Sequence, residues 1–222
     1  MATTAYYVLG LDPGQAADPT ALALIELDQV QQPTYRLRGL HRFPLNTPYT
    51  ELPLALEQRL REPPLANHTS LAIDATGVGA PVIDHFREQL PQIPLYAITI
   101  TAGASVTGGH NDPHVPKRDL ISITSVILEQ RRLRVAENMR DTDALTDELL
   151  AYRRTTTDRG NDTYAAAAGS HDDLVLALSL ALWTAEHKPL PRPYRHYRGL
   201  PQGRIPTFEE IAMQGYKRLY NW

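Results

Sequence analysis

The chain has 222 residues, 42% of them hydrophobic, which is enough for one buried core and excludes wholesale disorder. Its 22 Lys and Arg against 25 Asp and Glu leave a net charge of −3, the opposite of a simple basic nucleic-acid coat. With no cysteine it has no disulfide staple, thiolate zinc site or cysteine nucleophile. No apolar run approaches the roughly 18 residues of a membrane helix, and residues 1–4 lack the basic and apolar character of a leader, so neither a span nor a signal peptide is expected.

Residues 6–12 read as a buried strand that ends in Asp12 and is broken by Pro13 and Gly14. Residues 20–27 read as the returning strand, and residues 35–43, which alternate with period two, as a third. Together they predict an antiparallel meander. Leu52, Leu56 and Leu60 have helical spacing. Residues 70–74 read as a short strand ending in Asp74. Residues 80–90 read as a helix with Val82, Ile83, Phe86 and Leu90 on one side, and residues 95–100 as another strand. That order predicts a parallel pair with a crossover. Residues 102–115 read as a Gly- and His-rich loop in which His110 and His114 face substrate rather than a metal. Pro116 opens a helix ending near Gln130. Residues 133–135 follow as a short strand, and Thr142-Asp143 starts a helix through Tyr152. Ser170-His171-Asp172-Asp173 leads into a strongly apolar helix over residues 174–186.

Asp12, Asp74, Asp172 and Asp173 stand out by position. Taken singly, an Asp after a strand is often a turn former and an Asp before a helix an N-cap. Taken in order, they belong on the edge of an α/β sheet where strand ends and helix starts converge and ligands bind. Carboxylates gathered there repel one another unless a cation lies between them. An oxygen-only set suits Mg²⁺ or Mn²⁺. Gly14, Gly77 and Gly79 are expected to leave room for a bulky anionic substrate.

Gly10-Leu11-Asp12-Pro13-Gly14 with Asp18 and Thr20 forms a first motif, and Ile73-Asp74-Ala75-Thr76-Gly77-Val78-Gly79 a second. Pro116-Lys117-Arg118-Asp119-Leu120 forms a third, and Gly169-Ser170-His171-Asp172-Asp173-Leu174-Val175-Leu176-Ala177-Leu178 a fourth. In this order they resemble the C-terminal nuclease domain of tailed-phage large terminase subunits, within the RNase H-like, RuvC-like superfamily. The resemblance covers about residues 5–187. It implies an α/β fold with an RNase H-like mixed central sheet, its first three strands antiparallel, flanked by helices. It implies a two-metal endonuclease, with two Mg²⁺ or Mn²⁺, that cuts concatemeric viral DNA during packaging. Asp12 would bridge two metal ions and Asp74 would hold one. Asp173 matches the last superfamily carboxylate best, Asp172 would be a further ligand or stand behind one, and His171 would support them. The implied partners are double-stranded DNA and the portal, the small terminase subunit or a packaging ATPase domain, in the cytoplasm of the infected host cell. No membrane partner is implied.

No Gly-x-x-x-x-Gly-Lys-Ser/Thr phosphate loop occurs, so the expectation is an excised nuclease domain or a stand-alone relative of the full packaging motor. Contacts to DNA phosphates are expected from Lys117, Arg118, Arg131, Arg132, Arg134, Arg153 and Arg154. The charge divides at residue 187. Residues 188–222 hold seven basic residues against two acidic ones, and residues 1–187 hold 15 against 23. The expected organisation is a nuclease domain over 1–187 and a basic, Pro- and Tyr-rich tail over 188–222 with a short helix near 207–220. Rival readings are a Holliday-junction resolvase of the same superfamily, an actin-like ATPase half, and a non-catalytic DNA-binding or docking module.

Overall fold

The computed structural model describes residues 5–14, 18–28, 32–136, 139–158 and 172–191, and over 153–158 it describes the backbone alone. Strands β1 (Ala5–Asp12), β2 (Ala21–Asp28) and β3 (Tyr35–Arg42) pair antiparallel in chain order. After α1 (Glu51–Leu60), β4 (Thr69–Asp74) pairs parallel with β1 on its free side. After α2 (Ala80–Gln89), β5 (Leu95–Thr101) pairs parallel with β4, the crossover unit that the strand–helix–strand order predicts.

The segment read as a loop after β5 contains two more strands, β6 (Thr107–Gly108) and β7 (Pro113–Pro116). They form an antiparallel hairpin, and β7 lies parallel to β5. Gly108 sits at φ +83° in this hairpin, a conformation glycine adopts without strain. Then come α3 (Lys117–Glu129), β8 (Leu133–Val135), α4 (Thr142–Asp158) and α5 (Asp173–His187). The β8 strand pairs parallel with the first residues of β3. The sheet order is β6-β7-β5-β4-β1-β2-β3-β8. The mixed sheet with an antiparallel first meander is therefore present.

Helices cover both faces, so β1 is buried on both and reads as a continuous apolar run. Tyr7, Leu9 and Leu11 pack with Leu52, Leu56 and Leu60 of α1 and Ile83 and Phe86 of α2. Tyr6 and Val8 point to the opposite face, toward Leu174 and Leu178 of α5, Ile121 and Ile127 of α3 and Leu145 of α4. The helix α5 is buried along nearly its whole length, as its sequence of Leu, Val and Ala demands. A buried hydrogen bond of 2.8 Å between Thr124 and Ser179 joins α3 to α5.

Candidate metal and nuclease site

β1, β3, β4, β5, β7 and β8 run in one sense, so the last residues of β1, β3 and β4 meet at one edge of the sheet. Asp12, Arg42 and Asp74 occupy those positions. Leu11 is in register with Ile73, so Asp12 and Asp74 come next on neighbouring strands. Side chains alternate along a strand. Val8 and Ala72 pack on the α3 and α5 side, and Asp12 and Asp74 share their parity and that face.

Gly10 decides how close α5 comes. A Cβ there would fall 1.9 Å from the Ala177 carbonyl oxygen and 2.9 Å from the Ala181 nitrogen. Helix and strand are therefore in backbone contact. From Ala177 back to Asp172 the helix rises about 7.5 Å, and from Gly10 to Asp12 the strand advances about 7 Å. The start of α5 thus arrives beside Asp12. The turn after Asp12 is closed by Thr20, whose hydroxyl accepts a 3.0 Å bond from the Gly14 N–H. The room expected beside Gly14 is filled by the chain itself, since a Cβ would lie 2.2 Å from the Asp18 carbonyl oxygen. Gly77 does face open space, at φ +91°.

The electrostatics follow from this convergence. Burial pushes the Asp12 carboxyl well above its usual range; Asp74, then Asp172, then Asp173 push it further, and Lys117 opposes them. Burial also raises Asp74, against a 2.8 Å bond from the Thr76 N–H and the charge of Lys117. Asp172 holds the N-cap position of α5, yet its side chain makes no capping bond. Instead its Oδ2 accepts from Lys117 Nζ at 2.8 Å and from the Tyr152 hydroxyl. Asp173 is 3% exposed and turns the other way. Arg42 Nε and Nη2 both donate to it, at 3.0 and 2.6 Å, and its Oδ1 accepts from the Leu174 N–H. Arg42 also donates to Glu148, which accepts from the Val175 N–H at 2.9 Å. Burial and the neighbouring Asp173 carry Glu148 up to about 8, outweighing Arg42. Burial would raise Asp173 as well, but the bonds from Arg42 and Glu148 hold it below its usual value.

Asp12, Asp74 and Asp172 suit a hard divalent cation by donor chemistry, because all are carboxylates and Asp12 carries the repulsion a cation relieves. Among the described residues, no group of three or more acid or His side chains stands close enough together to hold a metal ion. The Lys117 ammonium is a positive charge acting on both Asp12 and Asp74 and bonded to Asp172.

Residues 9–184 match the family model for the terminase RNaseH-like domain. The chain belongs to that family. No curated protein matches it. Among solved structures it resembles the human cytomegalovirus terminase nuclease domain, Mn soaked, at 12% identity and a TM-score of 0.43, over 82% of this chain and 85% of that one. The inhibitor-bound form of that domain gives 14% and 0.44 over 83% and 84%. T. thermophilus RuvC in complex with a Holliday junction substrate gives 13% and 0.27 over 84% and 99%. These likenesses are loose, and the RNase H-like fold assignment rests on the family match and the sheet itself.

The other expected contacts of this terminase RNaseH-like domain divide by sheet edge. Lys117 and Arg118 start α3 at the carboxylate edge; Arg118 is half-exposed and donates to the Ala104 carbonyl. Arg131, Arg132 and Arg134 lie at the far end, because β8 pairs with the beginning of β3. From Tyr35 to Arg42 is about 23 Å of strand. Arg132 is engaged there with Glu186 at 2.7 Å and the Pro33 carbonyl at 2.9 Å. His171, the side chains of Arg153 and Arg154, and the tail beyond 191 lie outside the described residues. His110 and His114 are exposed on and beside the β6–β7 hairpin.

Arg42, Glu148 and Tyr152 are the site residues that sequence patterns miss. Arg42 ends a half-exposed strand and Glu148 sits among other acids of α4. Tyr152 stays protonated as a donor, since burial and its bond to Asp172 push its phenol up. Only the tertiary fold shows that all three hold the start of α5.

Proposed function

We propose that this domain is a divalent-metal-dependent endonuclease that cuts double-stranded viral DNA during genome packaging. The observation that carries the reading is the convergence of Asp12, Asp74 and Asp172 at one sheet edge of a terminase RNaseH-like domain. Asp12, Asp74 and Asp172 would hold two Mg²⁺ or Mn²⁺. Bound there, the ions would lower the pKa of a water and stabilise the attacking and leaving oxygens of an in-line displacement. The chain's own residues would do the rest. Asp12 sits between Asp74 and the start of α5, where it reaches both sides of the site. Asp172 faces this cluster, and Asp173 acts behind it by holding α5 to β3 through Arg42. Lys117 and Arg118 supply positive charge toward the phosphates at the same edge. Gly77 leaves the approach to Asp74 open.

The basic tail is proposed as an arm for DNA, and the portal, small terminase subunit or a packaging ATPase domain as partners in the infected host cytoplasm. Among the described residues, no helix is long and apolar enough to cross a membrane. The test is cleavage of supercoiled plasmid in Mg²⁺, Mn²⁺ or EDTA, with linear duplex and four-way junction in parallel. Metal-dependent cutting of duplex is expected. Cutting in EDTA would remove the metal mechanism, and strict preference for the junction would favour a resolvase.

A further inference from the structure

We propose that the Lys117 ammonium is the resting occupant of the carboxylate cluster and sets its metal affinity by competing with the incoming ion. This rests on reading the cluster as a metal site. Lys117 arrives there by construction: β7 runs parallel to β5, with Thr101 beside Pro116, and α3 opens at the next residue. The ammonium lies 2.8 Å from Asp172 Oδ2 and 5.8 Å from the centre of the Tyr152 ring. Its direct contact is with Asp172, and its charge also acts on Asp12 and Asp74.

A divalent ion and an ammonium compete for the same position. The ion needs the lone pairs of Asp172 Oδ2, and two positive charges cannot share a space a few ångströms wide without strong repulsion. Tyr152 donates to the same oxygen but is neutral, so it adds no such repulsion. Lys117 can leave, because its head is carried on a flexible four-carbon stem and its side chain is 30% exposed. It then swings at the edge where an anionic strand would lie. The cluster is therefore held together without metal, at the cost of weaker metal binding, and filling it releases a cation toward substrate.

The test is Mn²⁺ binding by calorimetry to the whole chain as wild type, Lys117→Met, Lys117→Gln, Lys117→Arg and Asp12→Asn. The two neutral variants are expected to bind Mn²⁺ at least fivefold tighter than wild type, and Lys117→Arg to show less than a fivefold change. Tightening of less than fivefold in both neutral variants, or equal tightening in Lys117→Arg, would overturn the competition. In that case loss of binding in Asp12→Asn would leave the metal-site reading standing. Undiminished binding by Asp12→Asn would overturn the metal site and this inference with it. Melting supplies a second measurement: Mn²⁺ should raise the Tm of Lys117→Met more than that of wild type. If Lys117→Met is unfolded in EDTA, Mn²⁺ should fold it, and failure to do so also overturns the proposal.

Discussion

Arg42 and Asp173 clasp each other across two layers of the fold, the Arg42 Nε and Nη2 both reaching the Asp173 carboxylate at 3.0 and 2.6 Å. One residue ends β3 in the sheet and the other starts α5 above it. The Asp173 side chain is 4% exposed and that of Glu148, bonded to the same Arg42 nitrogen, 5%. Removing the guanidinium strands buried acid groups, a change that costs about 3–5 kcal/mol when one partner of a buried pair is deleted. Arg42→Met is expected to lower stability by about 3 kcal/mol, read from the urea midpoint. A loss below about 1 kcal/mol would show that the clasp is not what fixes α5.

Gly10 is the second anchor of α5. Nothing larger fits, because a Cβ would meet helix backbone at 1.9 Å rather than a movable side-chain tip. Overpacking of this kind costs about 1–3 kcal/mol. Gly10→Ala should therefore lower Tm and also displace the start of α5 from Asp12. The expected signature is reduced plasmid cleavage at a temperature where the variant is still folded by circular dichroism. Full cleavage alongside unchanged Tm would mean that the helix has room to shift.

Asp12 couples function and stability in opposite directions. Its folded pKa lies above the unfolded value, so its protonated form is favoured by folding. That contribution is fully present below the unfolded pKa and is lost as pH rises through the folded one. Above the unfolded pKa and without metal, Asp12 is thus a burden on the folded state. Asp12→Asn is expected to melt at a higher temperature than wild type in EDTA, to lose the gain in Tm that Mn²⁺ gives, and to lose cleavage by two orders of magnitude or more. A variant that melts lower in EDTA would contradict the crowding of charge around Asp12.

How much of this could be read in advance depends on whether a residue's partner is near it in the chain. Asp12 and Asp74 announce themselves because each ends an apolar strand, and the meander and the β4–α2–β5 crossover follow from period and order. The division of labour between Asp172 and Asp173 does not. Adjacent residues at a helix start point in different directions, so Asp172 meets Lys117 and Tyr152 while Asp173 meets Arg42 of β3, and only the phase of α5 against Gly10 decides which. Arg42 and Glu148 are 106 residues apart, and no spacing rule links them. The β6–β7 hairpin escapes because its strands have two and four residues, too short for any alternation to register. Lys117 is legible as a cation near an anion, but its bond to Asp172 spans 55 residues.

Glu148 offers a test that leaves the proposed metal ligands untouched. Burial and Asp173 raise it from 4.5 to about 8, so in the folded chain it carries a proton through neutral pH. The sign is that of a raised carboxyl: its stabilising contribution is complete below about 4.5 and is lost as pH climbs toward about 8. Glu148→Gln keeps the shape and an acceptor for the Val175 N–H, gives up the acceptor for Arg42 Nη2, and cannot ionise. Wild type should therefore lose stability relative to Glu148→Gln between pH 5 and pH 9, whatever constant offset the lost Arg42 bond adds, while Glu148→Ala should be weaker than both at pH 5. Urea unfolding at pH 5, 7 and 9 measures the three curves. Parallel curves for wild type and Glu148→Gln would mean that Arg42 holds Glu148 ionised throughout, and that no proton is kept between Glu148 and Asp173.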